Sequence, residues 1–208
     1  MKQNAHQSYG FLRILHAIPQ PNSFDFYLDE KLYAKDLLFE DFTVYKPIPS
    51  GEHVLTLCLH KQTEPLLTHT LWISQEKIYT LVITFAPHTE SFQLYLMNDP
   101  PKKIPEDHFL LRVGAFCQNP TPFQLHLVDT KPIFKKISPY QLSPYLSFTP
   151  ATYNVELIDS ESQKVVATKG NCLLKPSRYY TLYIIGGTKN CPIKLLLTID
   201  GNSFLPFD

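Results

Sequence analysis

One series of motifs occurs twice along the 208 residues. Leu12-Arg13-Ile14 returns as Leu111-Arg112-Val113, Phe24-x-Phe26-x-Leu28 as Phe123-x-Leu125-x-Leu127, and Tyr79-Thr80-Leu81 as Tyr180-Thr181-Leu182. Arg13 to Arg112 and Phe24 to Phe123 are each 99 positions apart, and Tyr79 to Tyr180 is 101. Shared order at near-constant spacing means two copies of one folding unit. Each copy has roughly 95 residues, the size of a small domain that buries a core without a metal or disulfide staple.

The pattern inside each copy has period 2. Phe24, Phe26 and Leu28 alternate with Asp25 and Tyr27; Leu55, Leu57 and Leu59 alternate with Thr56 and Cys58. Tyr79, Leu81 and Ile83 follow, then Phe92, Leu94 and Leu96. The second copy keeps the phase with Phe123, Leu125 and Leu127, then Val155 and Leu157, Tyr180, Leu182 and Ile184, and Ile193, Leu195 and Leu197. A one-residue slip would turn a core face outward, so preserved phase means preserved inward faces. Eighteen prolines and turn clusters such as Pro47-Ile48-Pro49-Ser50-Gly51 and Gly186-Gly187 separate these runs. The expectation is an all-β chain of two tandem immunoglobulin-like antiparallel β-sandwich domains. Short helical turns are expected at 33–39 and 139–142.

Residues 98–108 carry three prolines and five charged residues between two apolar blocks, which reads as a semi-rigid linker. The expected division is a tail at 1–9, repeat one at 10–97, the linker at 98–108 and repeat two at 109–208. Val128, Tyr183, Ile185 and Leu196 fall on outward positions of repeat two. A face of that kind is expected to be covered by the first domain or a partner chain.

Lys+Arg and Asp+Glu are each 19, so the formal net charge is zero. Phosphate contacts dominate nucleic-acid affinity, and no basic stripe supplies them, so no nucleic-acid partner is expected. No apolar run reaches the ~18 residues of a membrane helix, and the N-terminus has no apolar export region. The chain as encoded therefore reads as cytoplasmic, with a cell-surface or spore-associated role as the other expectation. Cys58, Cys117 and Cys172 align with Ile158, Ile18 and Leu71 of the other copy. Free cysteine packs as a small hydrophobe, so reduced structural thiols are expected, with a Cys172–Cys191 bridge as the alternative.

Phe11-Leu-Arg-Ile-Leu-His16-Ala, Phe24-Asp-Phe-Tyr-Leu-Asp29, the Pro47–Gly51 turn and Lys77-Ile-Tyr79-Thr80-Leu81 form an ordered series. It resembles the bacterial domain of unknown function 4397 family over most of residues 10–97. The second copy resembles a degenerate version, with Gly114 at the place of His16 and Gln124 at that of Asp25. The resemblance implies a β-sandwich, often in tandem and often on exported proteins, and brings no established activity. The family's acidic loop is here Gln20-Pro21-Asn22.

His16 shares a strand face with Leu12 and Ile14, and Asp25 or Asp29 is placed to orient it. A His–Asp pair is part of a nucleophilic triad, yet no Ser or Cys follows a nucleophile-elbow pattern. The eight histidines show no metal-ligand spacing. Asp25 and Asp29 read as a solvated face, too poor in oxygens for calcium. Arg13 and Arg112 occupy equivalent places. Each is expected to hold a carboxylate across the sheet or to lie over apolar surface, with an anion clamp as the sharper alternative. Tyr27, Tyr95 and Tyr183 mark tyrosine-rich outer faces suited to carbohydrate or protein contact, or to cover by the neighbouring domain. No catalytic, cofactor-binding or metal residue is expected. The functional expectation is a non-enzymatic binding, assembly or surface-structure module of a bacterium, with a protein partner or self-assembly. The competing readings are a carbohydrate-binding module or a loop-sited enzyme using His16.

Overall fold

The computed structural model describes residues 8–87, 89–119, 121–127 and 132–205. Val128 and His88 lie outside them, as does His6. The first copy runs β1 (Tyr9–His16), β2 (Phe24–Leu28), β3 (Lys31–Leu37), β4 (Lys46–Pro49), β5 (Gly51–Leu59), β6 (Pro65–Ile73), β7 (Ile78–Phe85) and β8 (Phe92–Asn98). The second runs β9 (Phe109–Ala115), β10 (Phe123–Leu127), β11 (Pro132–Ile137), β12 (Leu146–Phe148), β13 (Ala151–Asp159), β14 (Val165–Leu174), β15 (Tyr179–Ile185) and β16 (Lys194–Ile199). A 3₁₀ turn at Gly201–Ser203 follows. Two compact units result, one holding residues to 83 and 91–100, the other 84–90 and 101–205.

Each copy is a pair of four-stranded sheets with the same order. The first has β4-β1-β7-β8 and β3-β2-β5-β6; the second has β12-β9-β15-β16 and β11-β10-β13-β14. In the second copy both sheets feed one core, with Leu111 and Leu182 from one and Phe123, Leu125 and Leu157 from the other. The pairing is antiparallel except at one place per copy: β1 runs parallel to β7, and β9 parallel to β15. The first strand therefore crosses over rather than folding back as a hairpin.

The duplication extends to individual hydrogen-bond registers. Phe24 faces Leu37 and Leu59, and Phe123 faces Ile137 and Asp159. A bulge follows Phe24 in one copy and Phe123 in the other. Opposite Ile83 stands His16, and opposite Ile184 stands Ala115. Ala115, not Gly114, therefore holds the His16 position.

Two local expectations differ. The segment 33–39 is not helical; Tyr33 and Leu37 are both buried in β3, and Asp36 takes φ 57°. Their helix-like spacing comes from a bulge, where Phe24 to Phe26 of β2 spans Leu37 to Ala34 of β3. Residues 139–140 form a turn with Tyr140 at φ 56°, and Leu142 bridges to Gly114, so 139–142 is not a helical turn. Tyr183 and Ile185 are buried and Leu196 is half-buried. All four cysteines are free thiols; Cys58, Cys117 and Cys172 are buried, and burial pushes the Cys117 thiol up to about 11.

Candidate functional site

Period-2 strands bury one face, yet every residue of β7 and β9 is buried. In the first copy, the chain between β3 and β4 folds over the outer face of β1 and β7. Phe42 and Tyr45 place their rings 4.9 and 4.6 Å from the Arg13 guanidinium carbon. Arg13 Nε donates to Thr80 Oγ1 at 2.9 Å, and Tyr45 donates its hydroxyl to Asp99 at 3.0 Å. The second copy repeats the set. Arg112 Nε donates to Thr181 Oγ1 at 2.8 Å, and Thr181 and Tyr145 donate to Asp200 Oδ2 at 2.6 and 2.7 Å. Tyr145 covers the Arg112 guanidinium at 4.5 Å, and Arg112 Nη2 stands 3.7 Å from Asp200. Arg112 is 2% exposed and Asp200 fully buried, so the cluster joins strands and presents nothing to a solvent anion. Arg112 thus holds Asp200, and Arg13 is held by Thr80, which with Tyr45 reaches Asp99; buried in this way, neither arginine forms an anion clamp. Asp99 and Asp200 went unnoticed in the sequence, although Tyr45 and Tyr145, like Asp99 and Asp200, recur at the repeat spacing.

His16 is fully buried. Its ring meets the edge of Phe24 at 4.9 Å and of Phe39 at 6.5 Å, and neither nitrogen makes a hydrogen bond of regular geometry. Burial lowers its pKa to about 4, outweighing the nearby Leu38 carbonyl and Asp41 charge that favour the proton. The expected His16–Asp25 or His16–Asp29 pair is not formed, because each carboxylate serves another histidine. Asp25 accepts from the Asp36 backbone N–H at 2.7 Å and meets His60 Nδ1 at 2.9 Å. It is 5% exposed rather than solvated, and it fastens the β3 bulge. Burial raises its pKa, but the Asp36 and His60 contacts outweigh that and hold it below the ordinary value.

Asp29 closes the β2–β3 turn in a left-handed conformation, φ 49°. It accepts from the Val54 N–H at 2.9 Å and meets His53 Nδ1 at 2.6 Å. The other ring nitrogen, Nε2, stands 2.7 Å from the Pro49 carbonyl. Both partners of the His53 ring are acceptors, a carboxylate on one side and a backbone carbonyl on the other. Burial raises the Asp29 pKa, yet His53 and the Val54 N–H bring it below the ordinary carboxylate value.

This dyad borders a cavity of about 250 Å³ in the first copy. Leu28, Leu32, Pro47 and Ile48 give it apolar walls and Lys31 and Lys46 bring ammonium groups, while the Tyr33 hydroxyl is bound to the Leu12 carbonyl and the His53 ring to Asp29 and Pro49. Lys46 lies 4.6 Å over the Tyr33 ring and donates to the Tyr33 carbonyl. Strand register places Leu146 at the Lys46 position and Tyr153 at that of His53. Sequence reading passed over this site because the motifs that contribute Leu28, Asp29 and Pro47–Pro49 carry no ligand-binding pattern, and Lys31, Lys46 and His53 lie outside them; comparing the two copies for lost polarity was the signal available. Among the described residues, no three His, Cys, Asp or Glu side chains stand together as metal ligands. No helix among them is long and apolar enough to cross a membrane.

The model of the family described as Domain of unknown function (DUF4397) matches residues 10–125, which is the first copy and the opening strands of the second. No curated protein matches the chain. Three solved structures are similar at a distance. The C-terminal domain of AlgF from P. aeruginosa is 19% identical, over 45% of this chain and 99% of that one, with a TM-score of 0.37. The Bacillus anthracis TIE protein is 8% identical, over 87% and 34%, at 0.29. A protein described as an adhesin from Bacteroides ovatus is 9% identical, over 96% and 97%, at 0.26.

Proposed function

The chain belongs to the DUF4397 family, and from that footing we propose that it is a non-enzymatic binding module whose ligand enters the cavity of the first copy. The observation that carries this reading is a local divergence. Two copies matched in strand order and register differ at Lys46 and His53, where the second has Leu146 and Tyr153. Polar groups that line an accessible concavity are the usual mark of a ligand site. The ionisable groups best suited to chemistry are occupied elsewhere. Arg13 and Arg112 serve buried clusters, and His16 is sealed behind Phe24 and Phe39.

A second reading has one observation in its favour. Trp72, the sole tryptophan, is 64% exposed on the outer face of the β5–β6 pair, opposite Glu52. An exposed indole beside a hydrogen-bonding carboxylate suits a sugar ring. Crystals soaked in a fragment library that includes mono- and disaccharides decide between the two. The expected result is density between Lys46 and His53, from fragments recovered chemically unchanged. Saccharide density over Trp72 alone would move the function to the β5–β6 face. Cleaved fragments, or an empty cavity across the whole library, would contradict the binding reading.

A further inference from the structure

We propose that the cavity of the first copy takes a small organic carboxylate with an apolar tail. The inference rests on the binding reading of that same cavity and goes on to name its ligand class.

The lining divides by chemistry. Lys31 and Lys46 bring two ammonium groups, while Asp29 is the single carboxylate and is already engaged by His53 and the Val54 N–H. The balance of donors therefore favours an incoming anion. Lys46 is also pre-positioned: one N–H goes to the Tyr33 carbonyl and the ammonium rests on the Tyr33 ring, leaving donors for a ligand. A lysine fixed this way loses less side-chain freedom on binding than a solvated one. His53 fixes another part of the lining, tying Asp29 of the β2–β3 turn to the Pro49 carbonyl at the end of β4.

The rest of the wall is aliphatic, from Leu28, Leu32 and Ile48. It offers nothing to the outer oxygens of a phosphate but suits a short hydrocarbon chain. A volume of about 250 Å³ lies just under the roughly 300–1,000 Å³ of sites for drug-sized ligands, which sets the guest at metabolite size. The second copy, with Leu146 in place of Lys46, lacks the anchoring charge.

Calorimetric titration of the full chain with butyrate, butyramide and inorganic phosphate tests the class. Butyrate is expected to bind, and butyramide to bind roughly tenfold or more weakly, since it loses a charge-assisted contact. Lys46→Leu should weaken butyrate by a similar factor, and Lys46→Arg should retain most of the affinity. Lys31→Gln is a second variant should Lys46→Leu melt early. Equal binding of butyrate and butyramide overturns the proposal, as does phosphate binding as tightly as butyrate. If none of the three binds while soaked fragments of another class fill the cavity, the carboxylate class fails and the binding reading stands. If nothing fills the cavity, both fail.

Discussion

His16 carries a cost that the fold sustains through its surroundings. An imidazole sealed between Phe24 and Phe39 stays neutral, and its pKa falls from 6.5 to about 4. The unfolded chain therefore binds a proton that the folded chain refuses between those two values. Stability must rise with pH across that window and fall as pH drops from about 6.5 toward 4. A displacement of this size corresponds to about 2–3 kcal/mol lost between pH 7 and pH 4.5. Asp25 and Asp29 act lower down. Their pKa values sit below the ordinary 3.8, so their stabilisation is present above that value and fades beneath it. Urea unfolding of wild type and His16→Leu at pH 7 and 4.5 separates the effects: the variant should lose most of the pH dependence in this window. A variant as pH-sensitive as wild type would show that His16 is not the group responsible. The burial of His16 was legible in the sequence, from its phase with Leu12 and Ile14. That Asp25 and Asp29 serve other histidines was not, because both are nearer to His16 along the chain than His60 and His53 are to them, and only the β2–β5 pairing brings those histidines close.

At the scale of elements, alternation located the strands and their inward faces, because turning a strand over would bury Asp25, Thr56 and their like in the core. Alternation missed what lies on the outer faces. The covering of β1 and β7 comes from the irregular chain between β3 and β4, whose contacts have no period to read. The Arg–Thr–Tyr–Asp cluster fixes that cover to the sheet in both copies: Tyr45 and Asp99 in one, Tyr145 and Asp200 in the other. Asp99 sits inside the stretch expected to be linker, yet it is buried and its N–H donates to the Ile78 carbonyl. Asp200 does the same with the Tyr179 carbonyl. Removing one member of a buried ionic cluster leaves the other charge uncompensated, at a cost of about 3–5 kcal/mol. Asp200→Ala is therefore expected to destabilise by that amount in denaturant unfolding, and Asp99→Ala comparably. A loss below about 1 kcal/mol, the size of an exposed ion pair, would show that the cluster is not sealed as described.

For the whole molecule, duplication preserved a scaffold and freed one place to change. Strand order, the parallel first pair, the bulge after Phe24 and Phe123 and the buried arginine cluster are common to both copies. The repeat made two matching sandwiches legible before any coordinates; the parallel pairs, the bulges and the aspartates of the arginine clusters came only with the structure. Which copy carries a site was not legible, since Lys46 and Leu146 stand in segments with no shared motif. The family match runs through the first copy and stops at residue 125. The two copies share a frame, and on the proposed reading ligand recognition belongs to the first. Titrating the ¹⁵N-labelled full chain with butyrate, and following backbone amide shifts in both copies, measures that claim directly. Saturable shifts are expected at Leu28–Lys31, Lys46, Ile48 and His53, with the amides around Leu146 and Tyr153 unmoved. Shifts centred on the second copy, or spread equally over both, would contradict it.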